Sequence, residues 1–159
     1  MDTYKKPADE LREALAKAGY TRRQVSVRHS HYSLGSSLYV TIRDASIDKA
    51  RIKTIAQAFE EVRYDEYSGE ILGGGNTYLN VFYTKEAADS RAAAYTEPVK
   101  AAILELDETD RSRLVKVGNT GYWIGFDSND AAGFSLWKDN SFVQNCHQLE
   151  NIAYVMAGC

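Results

Sequence analysis

The sequence predicts an α+β protein with a mixed or antiparallel sheet packed by helices. Three observations lead there. Apolar residues recur at three- and four-residue intervals in some segments, as one helix face requires, and at two-residue intervals in others, as a half-buried strand requires. The segments run αββαββ over residues 1–84 and ααβββα over residues 85–159. Strands repeatedly follow strands, which is the order of an α+β chain and not of a strictly alternating parallel one. The N-terminal half, 1–84, and the C-terminal half, 85–159, can hold separate cores or share one.

Pro7-Ala8-Asp9-Glu10 suits a helix start, with proline in the first turn and acids at the positive end of the dipole. Leu11, Ala14, Leu15 and Ala18 make its stripe, and Gly19 is a natural stop. Thr21 to His29 alternates, with Val25 and Val27 on one side. Residues 30–37 carry turn chemistry. Leu38 to Arg43 is a second strand with Leu38, Val40 and Ile42 facing inward. Ser46 is expected to cap a second helix whose stripe is Ile52, Ile55, Ala56 and Phe59. Tyr64 to Leu72 reads as a ragged hairpin turning at Ser68-Gly69, and 73–76 as a flexible link. Thr77 to Tyr83 is the clearest strand. Tyr78, Asn80 and Phe82 lie on one side and Leu79, Val81 and Tyr83 on the other, so it is expected to be central.

Lys85 to Tyr95 is alanine-rich and helical. Thr96-Glu97-Pro98 is expected to cap and restart a helix carrying Val99, Ala102, Ile103 and Leu106. Short strands are expected within 114–117, 121–126 and 134–137. The last segment, Ser141 to Ala157, has Phe142, Cys146, Leu149, Ala153 and Met156 at helical spacing and is expected to be one helix.

Composition narrows the class. With 44% hydrophobic and 26% charged residues, the 159-residue chain is neither a disordered tail nor a disulfide scaffold. No signal-peptide pattern follows Met1, and no apolar run reaches the ~20 residues of a membrane helix. Cys146 and Cys159 are read as reduced thiols of a cytoplasmic protein. The net charge of −3 conceals a division. Residues 1–63 hold 12 Lys+Arg against 8 Asp+Glu, and residues 64–159 hold 7 against 14. Each half can therefore steer a different partner.

Residues 9–84 carry a further signal. It runs from Asp-Glu-Leu-Arg-Glu-Ala-Leu…Ala-Gly-Tyr (9–20) through Arg-Gln-Val-Ser-Val-Arg (23–28), Leu-Tyr-Val-Thr-Ile-Arg-Asp (38–44) and Ala58-Phe59-Glu60. It ends in Asp65-Glu66…Ser68-Gly69-Glu70-Ile71-Leu72 and Gly74-Gly75-Asn76-Thr77-Tyr78-Leu79-Asn80-Val81-Phe82-Tyr83. This order resembles a small domain associated with the large polyvalent proteins of phages and conjugative elements. The resemblance implies a context: proteins injected alongside mobile DNA, several of which protect it from host defences. It carries over no catalytic residue, and residues 85–159 lie outside it.

The candidate sites are weighed by chemistry. Gly73-Gly74-Gly75-Asn76 leads into a strand, whereas a phosphate cradle leads into a helix. His29 and His31 can share a strand face, but no third and fourth metal ligand clusters with them. Asp127 to Gly133 is superficially like a calcium loop, yet lacks the bidentate Glu at its twelfth position. Cys146 and His147 are neighbours that a helix would point apart. Arg22, Arg23 and Arg28 with Tyr39 are the nucleic-acid candidate, combining phosphate contact with base stacking. Tyr64, Asp65, Glu66, Tyr67, Tyr122, Trp123, Asp127, Trp137 and Asp139 form an acidic, aromatic candidate for protein contact.

Together these lead to a non-enzymatic interaction protein of a phage or mobile element. It is expected to antagonise host defence, in the anti-CRISPR or anti-restriction manner, by binding a host effector such as a defence nuclease. The alternative is a single-stranded nucleic-acid-binding module. No cofactor, metal or membrane is expected, and a homodimer is allowed.

Overall fold

The computed structural model describes residues 6–159 and has the expected α+β composition, in two compact units that meet at Ala87/Ala88. The first holds a three-stranded mixed sheet and the second a four-stranded antiparallel one.

In the first unit, α1 spans Pro7–Lys17 and buries Ala8, Leu11 and Leu15. Strands β1 (Val25–Tyr32) and β2 (Gly35–Ile42) pair antiparallel. The expected turn over 30–37 is therefore mostly strand, and only Ser33-Leu34 makes the connection. The polar residues there belong to the ends of two long strands, which composition alone reads as loop. Helix α2 spans Lys49–Ala56. Its cap is Asp48, which accepts from the Ala50 N–H, and not Ser46, whose hydroxyl donates to Asp44. Strand β3 (Asn76–Tyr83) returns parallel to β2.

The strand order is β1-β2-β3, so β3 lies at an edge and β2 is central. The core explains the difference. Leu38, Val40 and Ile42 of β2 are fully buried with Leu11 of α1 and Ile52 and Ala56 of α2. Both helices pack on that one face of the sheet. The Tyr83 hydroxyl fastens α2 to β3, donating to the Ile47 carbonyl at 2.7 Å and accepting from the Lys49 N–H at 2.9 Å.

The segment between α2 and β3 is pinned by single bridges, Glu61 to Thr77 and Tyr64 to Ile71, and forms no full strands. Buried Asn76 organises its return. Its Oδ1 accepts from the Arg63 N–H at 3.1 Å, and its Nδ2 donates to the Leu72 carbonyl at 2.8 Å. Gly35 sits directly opposite, where an added Cβ would stand 2.5 Å from the Asn76 carbonyl oxygen. Close approach of β2 and β3 at this point requires the missing side chain.

The second unit contains most of α3 (Lys85–Leu104), then β4 (Val115–Lys116), β5 (Tyr122–Phe126), β6 (Phe134–Lys138), β7 (Ser141–Cys146) and α4 (Leu149–Met156). Thr96 does not cap a new helix. It lies inside α3, and its hydroxyl donates to the Ala92 carbonyl. Pro98 is also within the helix, where it removes one backbone donor without ending it.

The expected helix over 141–157 is half strand. Asp139 and Asn140 both take positive φ, 50° and 63°, and turn β6 into β7. Two such residues are the signature of a tight hairpin. Helix α4 keeps the rest of the stripe, burying Ile152, Ala153 and Met156. With Val99 and Ala102 of α3, Ile152 and Met156 pack against Val115, Ile124, Leu136 and Cys146 on one face of the sheet. Small side chains at Ala92, Ala153 and Ala157 allow α3 and α4 to approach closely, and Arg91 donates to the Ala157 carbonyl.

Candidate functional site

Strand alternation gives each sheet a second face that the helices do not cover. In the second unit, Ile124 pairs with Leu136 on the core side, so their neighbours Trp123 and Trp137 point the other way. The register aligns Lys116, Trp123, Trp137 and Phe142 in one row across four strands. Trp137 and Phe142 meet edge to face at 5.4 Å, and Trp137 Nε1 donates to Ser135 Oγ. Leu114 lies beside this row, over Gly125. Phe142 is 52% exposed, Leu114 39% and Trp123 37%. An apolar row of this size needs a reason to face water.

The acidic, aromatic candidate set is thereby divided. Trp123 and Trp137 belong to the outer row. Tyr122 does not: it packs against the core side, with Lys138 Nζ 5.0 Å from its ring centroid. Asp127 is no contact residue either. It is 4% exposed, and its carboxylate accepts from the Asn129 N–H to hold the 127–133 turn. Asp139 serves the β6–β7 turn. The sequence reading missed Phe142, which it placed on a helix, and Leu114. The missed signal was the Asp139-Asn140 pair.

Tyr64, Asp65, Glu66 and Tyr67 belong to the first unit. Asp65 accepts from the backbone of Ser68 and Tyr67 and from the Ser68 hydroxyl. Those bonds, Ser68's first, hold its carboxyl below the usual range. Asp65 thus shapes the hairpin tip, on which Tyr67 is 98% exposed.

The open face of the first sheet joins two of the four nucleic-acid candidates. Arg28 and Tyr39 are paired in the register, with the guanidinium carbon 5.1 Å from the ring centroid. The same row continues to Asn80 of β3. Arg22 is elsewhere, lining a cleft of about 600 Å³ beside α1 with Asp9, Arg12 and Glu13. Arg23 is exposed in the turn before β1.

Two chemical candidates resolve into structure. The Cys146 thiol faces the core, while His147 Nδ1 lies 3.3 Å from Asp130 Oδ2. The thiol is buried in the core and the exposed imidazole is turned to Asp130, so these two make no nucleophile–base pair. Among the described residues no three His, Cys, Asp or Glu side chains gather as metal ligands. No helix among them is long and apolar enough to cross a membrane.

His29 and His31 do share the inner face of β1, with ring centroids 4.0 Å apart. Both ring nitrogens of His29 are buried, and neither has a hydrogen-bond partner. Burial first, and then the charges of His31, Lys6 and Arg12, hold its pKa below 6.5. The unfolded chain therefore binds a proton at a pH where folded His29 does not. Stability is full above about pH 6.5 and falls as the pH drops through the folded value. Urea midpoints at pH 7.5 and 5.0 should show this loss, and His29→Gln should lessen it. An unchanged slope in that variant would assign the effect to other groups.

Comparison with family models, curated proteins and solved structures finds no match to this chain.

Proposed function

We propose that this chain is a non-enzymatic interaction protein that docks a protein partner on the outer face of its C-terminal sheet. The row Trp123, Trp137 and Phe142 carries the reading. Tryptophan offers large contact area with little side-chain entropy to lose, and it dominates the energetics of many interfaces. The strands of one sheet hold the three rings in place before any partner arrives, which limits the ordering cost of association.

The finer reading makes the partner a host-defence effector, such as a restriction or CRISPR-type nuclease, and the chain its antagonist. It is supported by the likeness of residues 9–84 to domains that travel with mobile DNA, and by the acidic balance of residues 64–159. An excess of acidic groups over residues 64–159 suits the basic surface by which a nuclease holds nucleic acid.

Phage plating on a host carrying such a nuclease tests this. Expression of the chain should raise plating efficiency, and Trp123→Ala/Trp137→Ala should abolish the rise while circular dichroism stays unchanged. In vitro the same pair should weaken nuclease binding at least tenfold, about 1.4 kcal/mol or more, as interface hot spots do. Unaltered plating, with no complex on co-elution, would dispose of the antagonist reading.

A further inference from the structure

We infer that the open face of the N-terminal sheet is a binding platform for single-stranded nucleic acid. The site is separate from the aromatic row above. Its first support is shape. Both helices of this unit pack on the other face, so the strands present their outer side chains on a firm plane.

Its second support is chemistry. On the outer face the register gives Ser26, Thr41 and Phe82 one row, and Arg28, Tyr39 and Asn80 the next. Tyr32 and Phe82 are 47% and 42% exposed. The outward positions of the three strands hold Ser, Thr, Asn, Gly, Tyr, Phe and Arg, with no Asp or Glu among them. A carboxylate-free face is unexpected in a chain with 22 acidic residues. It is what a polyanion requires, because one misplaced carboxylate would repel the phosphates.

Its third support is the rim. A cleft of about 490 Å³ runs over the β3 edge, lined by Lys49 and Lys53 of α2, by Leu79 and Val81 of the inner face and by Asn80 and Phe82 of the outer one. Glu60 also borders it, its carboxylate accepting from the Leu79 N–H, and Glu61 pairs with Thr77 along the same edge, so this rim holds acids as well as lysines. Asp44, just past the end of β2 that lies beside Tyr83, accepts from Ser46 and Gln24. Stacking rings on the plane with cations at its edge are the means of sequence-tolerant single-strand binding. A rigid duplex buries its base faces and cannot use the rings.

Fluorescence anisotropy of the full chain with labelled 20-nucleotide oligothymidylate and oligouridylate is the test. Arg28, Lys49 and Lys53 provide three phosphate contacts. The log–log salt slope should then lie near −2, at roughly 0.7 per phosphate on a single strand. Tyr39→Ala/Phe82→Ala should weaken binding about tenfold or more with the slope retained, because stacking is insensitive to salt. Lys49→Ala/Lys53→Ala should flatten the slope by about 1.4. Trp123→Ala/Trp137→Ala should leave this binding intact, so the protein-partner reading and this one stand or fall separately.

Preference for either oligonucleotide supports the platform and names the strand it takes. Absence of binding to both at 50 mM salt would overturn it. So would equal affinity for a duplex of the same length, or unchanged affinity in the folded Tyr39→Ala/Phe82→Ala variant.

Discussion

Replacing Asn76 with alanine should destabilise the N-terminal unit by about 2–4 kcal/mol, since it strands two part-buried backbone groups at about 1–2 kcal/mol each, the lower part of the range for buried groups. The groups are the Arg63 N–H and the Leu72 carbonyl, both held by the side chain of a residue that is 2% exposed. The effect should extend beyond one residue. Asn76 opens β3 and joins the turn before it to the parallel pairing with β2. Hydrogen exchange should therefore accelerate along β3 and in the 61–72 segment. Asn76→Asp keeps the acceptor for Arg63 but buries a carboxylate oxygen against the Leu72 carbonyl, and should be at least as destabilising as alanine at neutral pH. A change below about 0.5 kcal/mol in the alanine variant would show that water replaces both contacts without cost.

Leu136→Ala should cost the C-terminal unit about 2–5 kcal/mol, the range for truncating a fully buried leucine. Leu136 has no exposed surface and lies in the register between Ile124 and Gln144. Its side chain packs in the cluster with Val99, Ile152 and Met156, so the cavity opens where both helices meet the sheet. Both tryptophans of the chain, Trp123 and Trp137, are in this sheet and none is in the N-terminal unit. A urea titration followed by tryptophan fluorescence thus reads this unit directly. An unshifted midpoint would mean that the core collapses around the missing side chain.

The fold was legible where burial is one-sided. Leu11 and Leu15 of α1, Leu38, Val40 and Ile42 of β2, and Ile124 and Leu136 of the second sheet alternate or recur as their elements demand, and all are buried. Legibility failed where no burial contrast exists. The first five residues of β7 are all exposed, so no alternation marks it as a strand. The spacing of Phe142 and Cys146 then imitates a helical stripe that only begins at Leu149. Thr96 and Pro98 are proper opening residues for a helix, but the packing of Val99 and Ala102 carries α3 through them.

Strand β3 failed in a more useful way. Tyr78, Asn80 and Phe82 suggested burial on both faces, while Phe82 is exposed and Asn80 with it. Large apolar residues mark either a covered face or a surface kept ready for a ligand, and one sequence does not separate the two. The same ambiguity divided the acidic, aromatic set. Trp123 and Asp127 are four residues apart, yet one faces outward and the other is sealed in a turn.

Strand β7 forms the margin of its sheet, with Phe142 and Val143 open to water. Such a margin invites a strand from another molecule to add on, which is the first step of aggregation. The register jumps here: Trp137 pairs with Phe142, but Leu136 pairs with Gln144, leaving Val143 out of the ladder. An extra residue of this kind bends and twists the strand and breaks the even row of donors and acceptors that a newcomer would have to match. The irregularity lets the protein display an apolar surface in water while denying that surface's edge to its own copies. Solubility and stickiness are thus separated within six residues, the first kept by the backbone and the second by the side chains.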